Sequence, residues 1–425
     1  MPRLFYSNFD FEHELAATAQ GDGGRSKVAR GLQSGLGTAW LALAEENDVI
    51  LTPEPIDPAD FSGLARLGVP LPRFATHPSQ INEGGPFELV PWGWTPTTAA
   101  LAVEWGCRRR DLPLEVVRHV NRRQFRLELE RRLGVALPGE EIADSFRELQ
   151  RIVAAGRSPR GWILKADFGM AGRESIRGRG NSIPETIRNW AQSRIQQSGC
   201  VIFEPLVEPL AEAGIQIEIP ASAPPSFLGL ALQIVDQNGA YRGSRLAAAH
   251  PQSPRELPEE RSWQTAIDVA LQAASELQQC GYIGPLGIDG MWYRAADGQP
   301  ALRPLQDLNA RYTMGRLALG FQRLVPSGWC ASWLHVSPRI MAAQQRASRS
   351  TPADDSGSES FAASFRDQLA AVASASPEGL QIVPTSPVPA TDQATIQSAL
   401  IIARSPAIRA TAEMRLLGSV RPDCG

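Results

Sequence analysis

Apolar residues along this chain recur in two spacings, short unbroken runs and stripes three to four residues apart, and the two alternate. Residues 4–6, 49–51 and 87–90 are runs of strand length, while 37–46 between them reads as helical. That alternation predicts an α/β domain with a small parallel sheet over residues 1–115. Ser7, Asn8, Phe9 and Asp10 then fall at the end of the first strand, the usual ligand edge of such a sheet. No G-x-G-x-x-G follows, so a dinucleotide site is not indicated. Trp92, Trp94 and Trp105 are expected in packing, given the area an indole buries.

Further along, 116–133 reads as one amphipathic helix dense in arginine (Arg118, Arg122, Arg123, Arg126, Arg131, Arg132), with a solvated basic face, stopped by Gly134 to Pro138. Residues 162–166 read as a buried strand running into a Gly-containing loop, 167–174, and Gly178 to Asn181 as closing the same hairpin. A helix at 187–197 leads to a strand at 200–209 interrupted by Glu204-Pro205, a pattern that resembles a hinge between lobes. After a strand at 229–235 and a turn at Asn238-Gly239, the strongest helix covers 263–279, with Ile267, Ala270, Leu271, Ala274 and Leu277 on one stripe. Two apolar stretches, 281–293 and 302–315, read as short strands, flank Asp297-Gly298 and predict a β-hairpin. Polar, Ser- and Gln-rich residues 341–360 read as a flexible linker. A tail, 361–425, follows with a helix at 361–373, a strand at 380–383 and a helix at 393–404, and either packs back on the body or forms a small appendage.

Composition narrows the function. The 425 residues, 43% hydrophobic, suffice for more than one core, and a net charge of −3 gives no basic field for nucleic acid. No run is long and apolar enough to span a bilayer, and acidic residues interrupt the first nineteen, so no signal peptide is expected and the cytoplasm is the expected compartment. Five scattered cysteines show no C-x-x-C, and His13, His77, His119, His250 and His335 have no metal-ligand spacing. Of 42 basic residues only Lys27 and Lys165 are lysines, which invites a chemical reason for the one set between Ile163, Leu164 and Ala166.

Strand alternation puts Asp307, Asn309 and Arg311 on one face of the hairpin, with Asp289 on the neighbouring strand. Two carboxylates and an amide oxygen suit Mg²⁺ completed by waters and phosphates, and the arginine would grip phosphate. Taken alone, the same residues also describe a solvated strand face with an ordinary salt bridge. Lys165 and the following loop could bind a triphosphate, although no Walker A sequence is present; otherwise the lysine reaches to the surface after a β-turn.

The set Asn121-Arg122-Arg123, Ile163-Leu164-Lys165 with its Gly loop, Val201 to Glu204, Ile288-Asp289 and Asp307-Leu308-Asn309-Ala310-Arg311, in that order, resembles the ATP-grasp superfamily over 116–321, and loosely the domain that precedes it. The resemblance implies a mixed α/β and α+β architecture: a pre-ATP-grasp domain (1–115), a two-lobed ATP-grasp domain (116–340; lobes 116–204 and 205–340), a linker and the C-terminal appendage. It implies Lys165 and Arg311 as catalytic cations. Arg123, Lys165, Gly169 and Gly172 would lie on the phosphates, Glu204, Leu206 and Val207 at the adenine, and Glu208 or Glu212 at the ribose. Asp289, Asp307 and Asn309 match the magnesium ligands. Departures are Asp307 in place of the usual glutamate, Arg123 in place of a lysine, Ala310 in place of proline, and Ala171 where the loop often has serine. The implied activity is an ATP- and Mg²⁺-dependent ligase joining a small-molecule carboxylate to an amine or thiol; a small-molecule kinase or a nucleotide-binding module without turnover are the rivals.

Overall fold

The computed structural model describes residues 1–17, 27–81, 86–110, 112–156, 160–169, 174–236, 239–247, 263–348, 360–375, 378–388 and 395–418. Among them are three sheets. The first is wholly parallel, β1 (Arg3–Tyr6), β2 (Val49–Leu51), β3 (Arg73–Ala75) and β4 (Glu88–Pro91) in the order β3-β2-β1-β4; β1, β2 and β4 fall where the apolar runs indicate, and β3 is an edge strand that no run marked. Its carboxyl edge carries Ser7 and Asn8, both buried; Asn8 closes the edge by bonding Gly93 with both ends of its amide. Trp92 is buried in the core and Trp105 meets Tyr6 edge to face, so these indoles pack.

The second sheet is antiparallel: β5 (Glu141–Ala143), β6 (Trp162–Ala166), β7 (Ser175–Gly178) and β8 (Val201–Pro205), in the order β5-β8-β6-β7. On β6, Trp162, Leu164 and Ala166 point into a core beneath the helices Phe146–Ala154 and Glu185–Ser198, and Lys165 faces the other way. Gly178 to Asn181 does not close the β6–β7 hairpin, because Gly178 is the last residue of β7, paired with Trp162 at the start of β6. It seals the opposite end: the Trp162 indole lies over Gly178, where a Cβ would come within 2.1 Å of the ring, and its Nε1 donates to Gly180 O at 3.0 Å.

The third sheet has eight antiparallel strands: β9 (Glu208–Ile219), β10 (Ser226–Val235), β11 (Tyr241–Ala247), β12 (Gly284–Arg294), β13 (Pro300–Asn309), β14 (Cys330–Val336), β15 (Leu380–Pro384) and β16 (Gln397–Ala403), ordered β13-β12-β9-β10-β11-β14-β16-β15. The expected hairpin is β12–β13 and places Asp289 opposite Asp307. Helix Gln264–Gln279 covers this sheet with Ala266, Val269, Ala270, Ala273, Ala274 and Leu277 buried.

Three expectations need correction. The single helix over 116–133 is two, Leu114–Val120 and Arg123–Arg132, broken at Asn121 and Arg122. The break is useful: Asn121 Oδ1 accepts from Ala310 N at 3.0 Å, and Asp167 reaches across to cap the second helix, accepting from Gln124 N at 2.9 Å and Arg122 Nε at 2.6 Å. The segment expected as linker begins inside a helix, Pro338–Ser348, and 349–359 lie outside the described residues. The tail packs back on the body, and where a helix was expected over 393–404 the described part holds β16, a strand buried along its whole length between β14 and β15; 393 and 394 lie outside the described residues. No helix among the described residues is long and apolar enough to cross a membrane.

Candidate functional site

The face of β6 turned away from its core looks toward β13 of the large sheet, against which helix Arg123–Arg132 also packs, and residues singled out by sequence gather at that seam. Lys165 Nζ lies 2.8 Å from Glu204 Oε2, because β6 and β8 pair Ile163 with Glu204 and so put both side chains on one face. Arg123, in the first turn of its helix, donates to Ala166 O at 2.6 Å and Gly169 O at 3.2 Å, and its guanidinium stands 3.7 Å from Asp307 Oδ2. Gly172 lies outside the described residues, as does Ala171.

Across the seam, Asp289 is held by two amides. Gln233 Nε2 donates to its Oδ1 at 2.6 Å and Asn309 Nδ2 to its Oδ2 at 3.4 Å. The first bond crosses over β9 at Gly214, where a Cβ would sit 3.6 Å from both partners and 3.0 Å from Gln216 Nε2; a larger side chain would stand between them. Arg311 Nη2 donates to Asn309 Oδ1 at 3.0 Å, its Nε to Glu12 Oε1 of the first domain at 2.6 Å, and its guanidinium lies over Trp92. A row of polar residues therefore gathers here: Arg123 beside Asp307, Lys165 near enough to act on Asp307's ionisation, Asp289 opposite Asp307 in the hairpin, and Asn309 joining Asp289 to Arg311.

The charges along this row are unequal. Burial, with Asp307 and Glu212 nearby, pushes Asp289 up to about 7 against the pull of Arg311 and Gln233. Burial also opposes ionisation of Asp307, yet the cations Arg123, Lys165 and Arg126 hold it below the usual carboxylate range. The pair therefore has one carboxylate whose cations outweigh burial and one, Asp289, for which Arg311 does not.

The adenine and ribose positions divide. The Glu204 carboxylate is not free to meet a base: Oε1 accepts from Arg126 at 3.1 Å, while Oε2 takes Lys165 and Arg303. Leu206 N donates to Gly161 O at 2.9 Å, and Val207 packs against Leu137, Met291 and Tyr293, an apolar group at the hinge. Glu208 turns to the surface, paired with Arg160 at 2.6 Å and Arg294 at 3.3 Å, whereas Glu212 is close enough to Asp289 to act on its ionisation. Glu212 thus lies near the Asp289–Asp307 pair, and Glu208 is engaged by two arginines.

Sequence reasoning missed Arg126, Glu130, Glu140 and Arg303, all buried at this seam. The solvated-face reading holds for Arg118, Arg131 and Arg132, which are exposed, and fails for Arg123 and Arg126. A signal existed for Arg303: it sits on the parity of Asp307 in a strand whose face was already assigned to chemistry. Among the described residues no three His, Cys, Asp or Glu side chains converge as a metal site, and His335 is buried beside Trp333 and Tyr241 with its pKa pushed down to about 3 by burial and Arg242.

No protein-family model matches the chain, and no curated protein sequence does. Solved structures do match over nearly its whole length. An N5-carboxyaminoimidazole ribonucleotide synthetase bound to ADP superposes with a TM-score of 0.52 at 12% identity, covering 90% of this chain and 94% of that one. The Thermus thermophilus synthetase gives 0.52 at 14% identity, covering 92% and 99%. The biotin carboxylase domain of Hydrogenobacter thermophilus 2-oxoglutarate carboxylase, solved with MgADP, ADP and bicarbonate, gives 0.53 at 11% identity, covering 91% and 88%. The likeness is one of fold, and that fold is ATP-grasp with its preceding α/β domain.

Proposed function

We propose that this chain, built on the ATP-grasp fold, is an ATP-dependent ligase that activates a small-molecule carboxylate as an acyl phosphate for attack by an amine. The observation that carries the reading is this row of polar residues, six from two lobes and the junction beyond them, brought to one seam: Lys165, Arg123, Asp307, Asp289, Asn309 and Arg311. The ADP and MgADP complexes of proteins with this fold support a nucleotide at that seam.

In this reading Lys165 and Arg123 hold the nucleotide phosphates and the hinge at 205–207, lined by Leu137 and Met291, takes the base. A divalent cation fits the residues present: Asp289 is raised first by burial and then by the neighbouring Asp307 and Glu212, an ion there would favour its charged form, and Asn309 Oδ1 keeps a second lone pair while accepting from Arg311. Asp307, Asp289 and Asn309 would hold Mg²⁺, which supplies charge neutralisation at the transferring phosphoryl group. Arg311 meets the same phosphoryl oxygens once Glu12 yields its guanidinium. The acid's oxygen attacks the γ-phosphorus and ADP leaves; the amine then attacks the acyl carbon and phosphate leaves. Packing of the two lobes excludes water that would hydrolyse the acyl phosphate.

Nucleotide binding without turnover is a second reading, favoured by one observation: Lys165 and Arg311 already have carboxylate partners, Glu204 and Glu12. The test is to supply MgATP, pools of carboxylic acids and hydroxylamine, and to measure hydroxamate and phosphate. Hydroxamate with stoichiometric phosphate supports the ligase. ADP with a stable phosphorylated product identifies a kinase, and nucleotide binding with no ADP from any pool leaves the second reading.

A further inference from the structure

Two arginines and three glutamates at the lobe seam form a closed ionic assembly. Arg126 and Arg303 are 1% and 2% exposed, and Glu130, Glu140 and Glu204 are also buried. Each carboxylate is bridged by both guanidiniums, one oxygen to each. Arg303 donates to Glu130 Oε1 at 3.2 Å, Glu140 Oε2 at 2.7 Å and Glu204 Oε2 at 3.1 Å. Arg126 donates to Glu140 Oε1 at 2.6 Å, Glu204 Oε1 at 3.1 Å and the remaining oxygen of Glu130. Lys165 is the third cation, on Glu204 Oε2, and balances the third carboxylate. Arg126, Glu130, Glu140, Glu204 and Lys165 all belong to the first lobe; Arg303 alone comes from the second.

We propose that Arg303 is a positioning residue for Lys165, acting through Glu204 to fix the lysine ammonium at the seam and thereby to set the affinity for nucleotide phosphate. The claim rests on the nucleotide reading above. Glu204 Oε2 is shared between Lys165 and Arg303, so the lysine is held in place without being closed off in a private pair, and its charge remains available to a phosphate. The Arg303 guanidinium places a different nitrogen, Nε, Nη1 or Nη2, on each of the three carboxylates, a spread that the single nitrogen of a lysine at 303 would not reproduce. Because the fork comes from the facing lobe, Lys165 reaches its working position only when the lobes are joined.

Removing one member of a buried ionic set leaves an uncompensated charge and can unfold the chain, so the informative variant is Arg303→Met combined with Glu130→Gln, which keeps two anions against two cations. Two readouts are needed. The first is nucleotide-free: the rate of acylation of Lys165 by an amine-reactive ester, measured by peptide mass spectrometry against the chain's one other lysine. The second is the MgATP dissociation constant. In the folded double variant, Lys165 is expected to react about tenfold faster and MgATP to bind about tenfold more weakly, with Arg303→Lys falling between it and wild type. If the double variant does not fold, Arg303→Lys carries both measurements: faster acylation of Lys165 together with weaker MgATP binding upholds the proposal, and wild-type MgATP affinity overturns it. A folded variant with wild-type MgATP affinity overturns it, whatever the acylation rate. Wild-type protein that binds no MgATP overturns the nucleotide reading instead, and the acylation ratio alone then decides whether Arg303 positions Lys165.

Discussion

At the residue scale, the legible part of the site was the part that lies on regular strands. Asp307 and Asn309 share a face by alternation, and Asp289 falls opposite Asp307 by hairpin register, so two-residue periodicity was enough. Arg126 and Arg303 were not legible, since their meaning depends on carboxylates up to 173 positions away. The roles assigned to Lys165 and Asp307 are testable directly. Lys165→Arg should weaken MgATP binding about tenfold or more and remove most nucleotide-induced thermal stabilisation, because a guanidinium cannot share one Glu204 oxygen and point at phosphate in the same way. Equal thermal-shift titrations for both proteins would sink the assignment. Asp307→Asn should reduce affinity for MgATP more than for metal-free ATP, and equal loss of the two would count against metal ligation. Glu130 carries a pH consequence. Burial outweighs Arg126 and Arg303 and pushes its carboxyl up from 4.5 to about 7. The folded state therefore keeps a proton between those values that the unfolded state has released, and stability should decline as pH rises through that window. The slope for one proton is at most about 1.4 kcal/mol per pH unit. Denaturant titrations at pH 5, 6, 7 and 8 should show that part of the slope missing in Glu130→Gln; an unchanged slope would remove Glu130 from the account.

At the scale of elements, alternation marks those with one wet and one dry face, while a run buried on both faces is read correctly at β2 and β8 and wrongly at β16. Helix Gln264–Gln279 shows its stripe, and β6 shows alternation around Lys165. β16 shows neither: Ala399, Leu400, Ile401, Ile402 and Ala403 are all buried, so no polar face marks the period and the run fits helix or strand equally well. The break at Asn121 was hidden for another reason, because what stabilises it, Asp167 capping from a distant loop, is tertiary. The β6–β7 hairpin gives the sharpest element-scale test. A methyl at Gly178 would enter the Trp162 ring, which is 1% exposed and tied to Gly180. Gly178→Ala should cost about 1–3 kcal/mol by overpacking. A thermal midpoint equal to wild type would show that the indole can move aside.

For the whole molecule, the last 65 residues matter more than an appendage would. β16 completes the pairing of β14 along seven residues, and β15 follows it. The same segment reaches the first domain: Ser386 Oγ donates to Gly35 O at 2.5 Å, Thr38 Oγ1 to Thr385 O at 3.2 Å, and Val388 N to Asp60 Oδ2 at 2.9 Å. On the opposite face, Glu413 is buried between Arg245, Arg409 and Ser332, which fixes helix Pro406–Leu417 to the sheet. The tail thus joins the first domain to the sheet that carries Asp289 and Asp307, although it supplies none of the candidate ligands. A chain ending after residue 359 would leave β14 as an unpaired edge and expose Trp333, Leu334 and Val336, now 0% accessible. Such a chain is expected to aggregate or to lose its cooperative thermal transition, and with it MgATP binding. Co-expression with the 360–425 segment should recover part of the soluble protein, since the missing contacts are non-covalent. If the shortened chain is soluble, melts at the wild-type midpoint and binds MgATP with wild-type affinity, the tail is a dispensable addition and the eight-stranded sheet is not a single folding unit.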